Sequence, residues 1–251
     1  MTGSRTESRP SARTYRVVAL APATPDIRIV RLESESGERF RFRAGQHATL
    51  TFGALPPRDY SIASRPDESG LEFHIGHSGG DGVSAYVARQ LNLGDIVEVA
   101  WPYGGSWLRD RHRGPMLAVA GGSGLAPVKS IVETALRMSL SQDIHLYFGT
   151  RDEPGVYLEP HFQGLAGAHG NFHYVPVLSE PRAPTARRTG LVSDAVGADF
   201  RDLAGFKAYV AGPPRMVEAT TGILLARGMP AADIHADPFV RMDQKHGAGR
   251  R

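Results

Sequence analysis

Apolar residues recur along this chain in two different rhythms. From residue 14 to about 110 they alternate with polar ones or fall in short β-branched runs. YRVVALA (15–21) and IRIVRL (27–32) are separated by PATPD, a turn-rich break. HATLTF (47–52) alternates, and so does LEFHIGH (71–77), with Leu71, Phe73 and Ile75 on one face. DIVEVA (95–100) follows a turn at LNLGD, and one short helix is predicted at about 84–91. Short strands at this spacing predict a closed or nearly closed antiparallel barrel.

The rhythm changes near RDRHRGP (109–115). MLAVAG (116–121) is continuously apolar, and a glycine-rich turn and a helical run at about 125–138 follow. DIHLYFGT (143–150), NFHYVPVL (171–178), FKAYVAG (206–212) and DIHADPF (233–239) read as further strands. Helices are predicted near 157–165 and 214–227. Strands alternating with helices predict a parallel sheet wrapped on both faces. The expected organisation is a disordered leader (1–13), an antiparallel β-barrel domain (14–110), an α/β parallel-sheet domain (111–240) and a flexible basic tail (241–251).

Composition narrows the chemistry. The 251 residues are 41% hydrophobic and 22% charged, an ordinary globular balance. Net charge is +3, and neither a long lysine run nor an aromatic-interleaved basic stripe is read, so no nucleic-acid partner is expected. There is no cysteine, which excludes disulfides, thiolate zinc sites and a cysteine-held iron–sulfur cluster within this sequence. No metal site is expected. No apolar run approaches the ~20 residues a bilayer span needs, and a cytoplasmic location is expected.

Three stretches carry candidate chemistry. In PPRDYSIASRP (56–66), an extended segment would point Arg58 and Tyr60 one way and start the other face at Ser61. That suits a flat ring bearing a phosphate; a solvated edge strand is the plainer reading. VAGGSGLAPVKSIVE (119–133) is a strand, a tight turn and a helix. Gly121, Gly122 and Gly124 allow close backbone approach, Pro127 suits a first helical turn, and the helix N-terminus favours an anion. The last position is proline, so this is not the G-x-G-x-x-G fingerprint, and a structural strand–helix turn stays open. YVAGPPRMVEAT (209–220) repeats the logic at Gly212, Pro213 and Pro214. Both loops fall at carboxyl ends of strands, where open α/β sheets bind ligands.

In order, RDYSIAS (58–64), GDGVSAYV (80–87), WPYGGSW (101–107), GGSGLAPVKS (121–130), FGTRD (148–152), AGPPRMV (211–217) and HADPF (235–239) make the sequence resemble a known family. It resembles the ferredoxin–NADP reductase superfamily of flavin oxidoreductases. It is most similar to reductase components of bacterial ring-hydroxylating and related oxygenases. The resemblance covers about 14–240.

The resemblance implies that Arg58 pairs with a flavin phosphate, Tyr60 packs on the isoalloxazine ring and Ser61 lies near its N5. It implies that Gly82, Val83 and Ser84 hold the flavin pyrophosphate, with Ser84 also a good helix N-cap. FAD is expected over FMN. Gly122, Gly124 and Pro127 would sit by the pyrophosphate of a nicotinamide dinucleotide, and Gly212, Pro213 and Pro214 would shape the pocket where nicotinamide meets flavin. Many members have cysteine where this chain has Ala211. Asp237 and Phe239 would return to the active site, joining Tyr60 and Ser61; a final strand and its turn stay open for them. After the second α/β strand, Thr150 and Arg151 would meet the coenzyme ribose. Asp152 and Glu153 argue for NADH and Arg151 against, with NADH expected over NADPH. His74 and His77 are expected at the surface or barrel rim.

The implied function is passage of electrons from NAD(P)H through FAD to a separate ferredoxin or oxygenase component. The alternatives are a free-flavin or small-molecule reductase, and a non-catalytic flavin-binding electron-transfer subunit. The sequence does not give the oligomeric state.

Overall fold

A computed structural model of the chain describes residues 12–77, 79 and 81–239, apart from the Trp101 side chain. The expected tail and nearly all of the expected leader lie outside the described residues. Arg13 already belongs to a strand.

The first half is one antiparallel sheet. Strands β1 (Arg13–Thr24), β2 (Ile27–Ser34), β3 (His47–Phe52), β4 (Arg58–Ser61), β5 (Leu71–Gly76) and β6 (Ile96–Tyr103) lie in the order β4-β3-β6-β1-β2-β5. Alternation does the sorting. Ala48, Leu50 and Phe52 of β3 are buried and the residues between them are half-exposed. PATPD is not a five-residue break. β1 runs on to Thr24, and its hydroxyl accepts from Asp26 N–H at 3.1 Å to close a tight turn. The two edge strands meet where Ile62 bridges Phe73 and Ala63 N–H donates to Glu72 C=O at 2.7 Å. The sheet thus closes on a core of Tyr15, Val30, Leu32, Leu50, Phe52 and Phe73. A single short helix, α1 (Val83–Arg89), crosses one end.

The second half is a parallel sheet. Strands β7 (Met116–Gly121), β8 (Ile144–Thr150), β9 (Phe172–Leu178), β10 (Arg188–Thr189), β11 (Lys207–Gly212) and β12 (Ile234–Pro238) lie in the order β10-β9-β8-β7-β11-β12. Helices α2 (Leu125–Arg137), α3 (Glu159–Ala168), α4 (Val192–Asp199) and α5 (Pro214–Ala226) cover it. Every residue of β7 is buried because both of its faces are covered. Met116, Ala118 and Ala120 join one core with α2, while Leu117 and Val119 join the other with α4 and α5. The sequence rhythm missed α4, whose apolar positions over one short helix are too few to set a period. The winding reverses between β7 and β11, so the carboxyl ends of these strands frame the crevice where such sheets bind ligands.

Candidate functional site

Two loops close the crevice against each other. α2 follows β7 through a tight turn at Gly122–Gly124, and α5 follows β11 through Pro213, with Pro214 its first residue. A Cβ on Gly124 would lie 2.2 Å from the Ala211 carbonyl oxygen. The bare backbone of Gly124 therefore serves contact between the loops, not approach to a ligand. Gly122 is the position that faces open space, and its φ of +55° explains the glycine there. Pro127 is buried in the first turn of α2. It shares a void of about 10 Å³ with Ser106, Ala211, His235 and Asp237, too small for anything but water.

Ala211 is buried in the strand before this loop. After β12 the chain turns back, and Phe239 N–H donates to the Gly212 carbonyl at 2.9 Å. Burial pushes the Asp237 carboxyl above its ordinary value, and nearby His47 acts in the opposite direction.

His47 joins this end of the crevice to the barrel. It pairs with Ser61 and with Tyr103 across the ladders of β3. Arg58 and Tyr60 follow on the same ladder, opposite Leu50 and Ala48. The Tyr60 ring meets Phe52 edge-on at 6.4 Å, and Phe52 in turn meets Tyr86 of α1 at 6.2 Å. Burial pushes the Tyr60 phenol up to about 12, against the pull of Arg58. Arg58 donates to the Pro57 carbonyl at 3.1 Å and meets no carboxylate among the described residues. An uncommitted guanidinium, an apolar aromatic wall and a hydroxyl on one short strand can receive an anionic aromatic group.

Gly82, with φ +108°, is the residue before α1, and a Cβ there would meet nothing within 4 Å. Ser84 is not the cap: it lies inside the first turn, and no side-chain hydrogen bond closes this helix end. Val83 is buried beneath it.

Thr150 and Arg151 sit at the carboxyl end of β8, away from these loops. Thr150 Oγ1 donates to the Asp152 carbonyl at 3.1 Å. Asp152 is buried and held by Arg182 at 2.6 Å, so its carboxylate is already engaged rather than open to a ribose. Arg151 lies 4.0 Å from Glu180.

The sequence reading missed a polar network between the two halves. His74 was expected at the surface or rim. It does point out of the barrel, but α2 and Tyr157 cover that face and leave it buried. Burial pulls His74 below its ordinary pKa and keeps it neutral near pH 7. Its Nε2–H donates to Glu72 Oε1 at 3.0 Å, and its Nδ1 accepts from the Tyr157 hydroxyl at 2.9 Å. That hydroxyl lies 3.3 Å from the Gly122 carbonyl. Lys129 of α2 reaches Glu72 at 3.3 Å, Glu133 at 3.2 Å and the Ala63 carbonyl at 3.3 Å. Burial alone would raise the Glu72 carboxyl, but His74, Lys129 and Arg31 together hold it well below the usual range. Ser130 donates to the Ser64 carbonyl at 2.7 Å. The end of RDYSIAS is thereby tied to α2, the helix that follows the glycine-rich turn. His77, by contrast, is half-exposed at the end of β5 and bonded to Asp26, as a rim residue should be.

The sequence signal for this network was weak. Glu72 and His74 occupy the outward face of β5, and Lys129 and Glu133 share one helix face at i, i+4. Each pattern is ordinary on a solvated surface. Ser106, which donates to the Ala236 carbonyl at 3.1 Å, carried no signal beyond its motif.

Comparison with known proteins supplies independent information. An oxidoreductase NAD-binding domain family matches residues 118–222. The ferredoxin–NAD(P)(+) reductase component of naphthalene 1,2-dioxygenase/salicylate 5-hydroxylase systems from Ralstonia sp is 42% identical over 223 residues, covering 89% of this chain and 67% of that protein. A probable flavin reductase from Vibrio harveyi is 36% identical over 84% of this chain and 93% of its own length. Among solved structures, the Amycolatopsis cytochrome P450 reductase GcoB superposes with a TM-score of 0.86 at 34% identity, over 93% of this chain and 72% of that one.

Proposed function

This chain belongs to the ferredoxin–NADP reductase superfamily of flavin oxidoreductases, and from that premise we propose that it oxidises NAD(P)H through bound FAD and hands the electrons to a separate ferredoxin or oxygenase component. The observation that carries this reading is the juxtaposition of β4, with its uncommitted Arg58 and its Tyr60 wall, against the crevice loops through His47.

The residues present fit FAD. Arg58 would fork onto a phosphate, Tyr60 would lie on the isoalloxazine face, and Ser61 would face N5. Gly82, open on the side where a Cβ would stand, together with Val83 and Ser84 would hold the pyrophosphate. When bound, FAD accepts electrons in pairs and releases them one at a time. The protein's own part is placement. The crevice loop at Gly122 would orient the coenzyme pyrophosphate, with Pro127 buried behind it in the first turn of α2, and Gly212, Pro213 and Pro214 would bound its nicotinamide. Asp237 and Phe239 would close that end and exclude water, with the Asp237 carboxyl available to hold a proton.

NADH is the proposed coenzyme. At the ribose end, Arg182 is bound to Asp152 and Glu180 lies 4.0 Å from Arg151, so a 2′-phosphate would meet a carboxylate beside the guanidinium. Thr150 and Arg151 would then meet the ribose of NADH.

A second reading, free-flavin reduction, is favoured by the near-complete coverage of the Vibrio harveyi relative. Steady-state assays with NADH and either a plant-type [2Fe–2S] ferredoxin or free FMN as acceptor decide between them. Ferredoxin should be reduced with the higher kcat/KM. Faster turnover of free FMN, with ferredoxin inert, would assign the second reading.

A further inference from the structure

Away from the crevice, at the other end of α2, the two halves of the molecule leave a groove of about 550 Å³. Phe42, Leu108 and Met138 make its apolar surface and Trp107 its wall. The segments RFRFR (39–43) and RDRHR (109–113) meet here, joined by the 2.9 Å hydrogen bond from Leu108 N–H to the Ala44 carbonyl. Arg43 lies over the Trp107 ring at 3.9 Å and Arg109 at 3.4 Å. Arg109 is locked in place by the Trp107 and Gly105 carbonyls, each at 2.8 Å. The first segment corrects the sequence reading, which found no basic stripe interleaved with aromatics. It was overlooked because it is short, and because its phenylalanines serve the barrel: Phe40 is in the core and Phe42 packs against it.

What distinguishes this face is the concentration of uncompensated charge in two short segments. Elsewhere arginines are paired, as Arg16 with Glu35, Arg65 with Asp67 and Glu68 and Arg187 with Glu159, or, like Arg58 and Arg89, unpaired but not in such a cluster. Among the described residues no carboxylate lies within ion-pair distance of Arg41, Arg43, Arg109, Arg111 or Arg113. The acids close by are Asp67, already shared between Arg65 and Arg137, and Asp110 at the groove itself. Arg41, Arg43, Arg111 and Arg113 are exposed. Such a concentration of one sign, around an aromatic–apolar groove, raises the local concentration of an acidic partner and its association rate.

The face is also connected to the redox site. Residues 43–47 and 103–109 run side by side from the groove to His47, the ladder partner of Ser61. Arg43 and His47 are separated by at most roughly 14 Å of extended chain.

We propose that this arginine-rimmed groove around Trp107 is the docking surface for an acidic iron–sulfur protein, the electron acceptor of the reaction. The proposal rests on the reductase reading above. Trp107, Phe42 and Leu108 would supply the apolar centre, and Arg41, Arg43, Arg111 and Arg113 the charged rim that steers the partner.

The test uses the full chain with FAD bound, NADH as donor, and a net-negative plant-type [2Fe–2S] ferredoxin or ferricyanide as acceptor. The variants are Arg111→Glu with Arg113→Glu, and, as a remote control, Arg201→Glu. We expect kcat/KM for ferredoxin to fall about tenfold in the double variant at low salt, and the difference to close at high salt. Ferricyanide reduction and the Arg201→Glu control should match the unaltered protein. If the unaltered protein reduces ferredoxin and the double variant does so equally well, with the same salt dependence, the surface is wrong and the reductase reading stands. If the unaltered protein reduces ferricyanide but never ferredoxin, the proposed acceptor class fails and the docking surface with it. A single-stranded oligonucleotide that displaces ferredoxin from the unaltered protein at equal concentration would reassign the groove to nucleic acid.

Discussion

Arg58 and Asp237 owe their proposed roles to opposite circumstances. Arg58 stands on an edge strand with only a neighbouring carbonyl for company, so nothing in the barrel depends on it. Arg58→Ala should therefore leave the melting temperature of the flavin-free protein unchanged while weakening FAD binding roughly 10- to 100-fold, the worth of about 1.5–3 kcal/mol for a charged hydrogen bond. Fluorescence titration with FAD measures it; unchanged affinity would remove the phosphate role. Asp237 is held in a partly buried place that disfavours its charge. A carboxyl raised on folding costs stability at neutral pH, and that cost disappears as pH falls below its unfolded value. Asp237→Asn should thus raise the melting temperature at pH 7 relative to wild type and make no difference near pH 3. The same variant should keep FAD and lose turnover with NADH by roughly tenfold or more. Full turnover would show that the carboxyl is structural only.

At the scale of elements, β5 and α2 carry the join between the two halves. Lys129 is buried among Glu72, Glu133 and the Ala63 carbonyl. Lys129→Met would remove the one cation that Glu72 and Glu133 share, leaving Glu72 with Arg31 and His74 and Glu133 with His161, a loss of about 1.5–3 kcal/mol. Thermal unfolding should register it, with Lys129→Arg recovering part of the loss; an unchanged transition would mean that Lys129 does not fasten the two halves. This join also shows what the sequence could convey. Strand alternation at Ala48, Leu50 and Phe52, and the wholly apolar β7, announced a barrel and a two-faced parallel sheet. The glycines and prolines announced the crevice loops. Pairwise partners were not legible. Nothing in LEFHIGH says that Glu72 and His74 will be covered by α2, because an outward polar pair on a strand normally meets water. Likewise Asp152 looked available for a ribose until Arg182, from a distant loop, claimed it. Gly124 looked like a cradle for phosphate and instead makes room for Ala211.

On the scale of the whole molecule, a closed barrel is fastened to a doubly wound sheet, so that His47, Ser61 and Asp237 share one end of one crevice. A rigid join suits a reaction in which two cofactors must meet in a fixed geometry. Among the described residues no helix is long and apolar enough to cross a membrane. The measurement that bears most directly on the central claim is anaerobic stopped-flow mixing of the FAD-loaded protein with NADH and, separately, NADPH. The yellow flavin absorbance should bleach within a single rapid phase with NADH, and more slowly with NADPH at the same concentration. A flavin that stays oxidised with both coenzymes would contradict the central claim, leaving a flavin-binding protein without reductase activity.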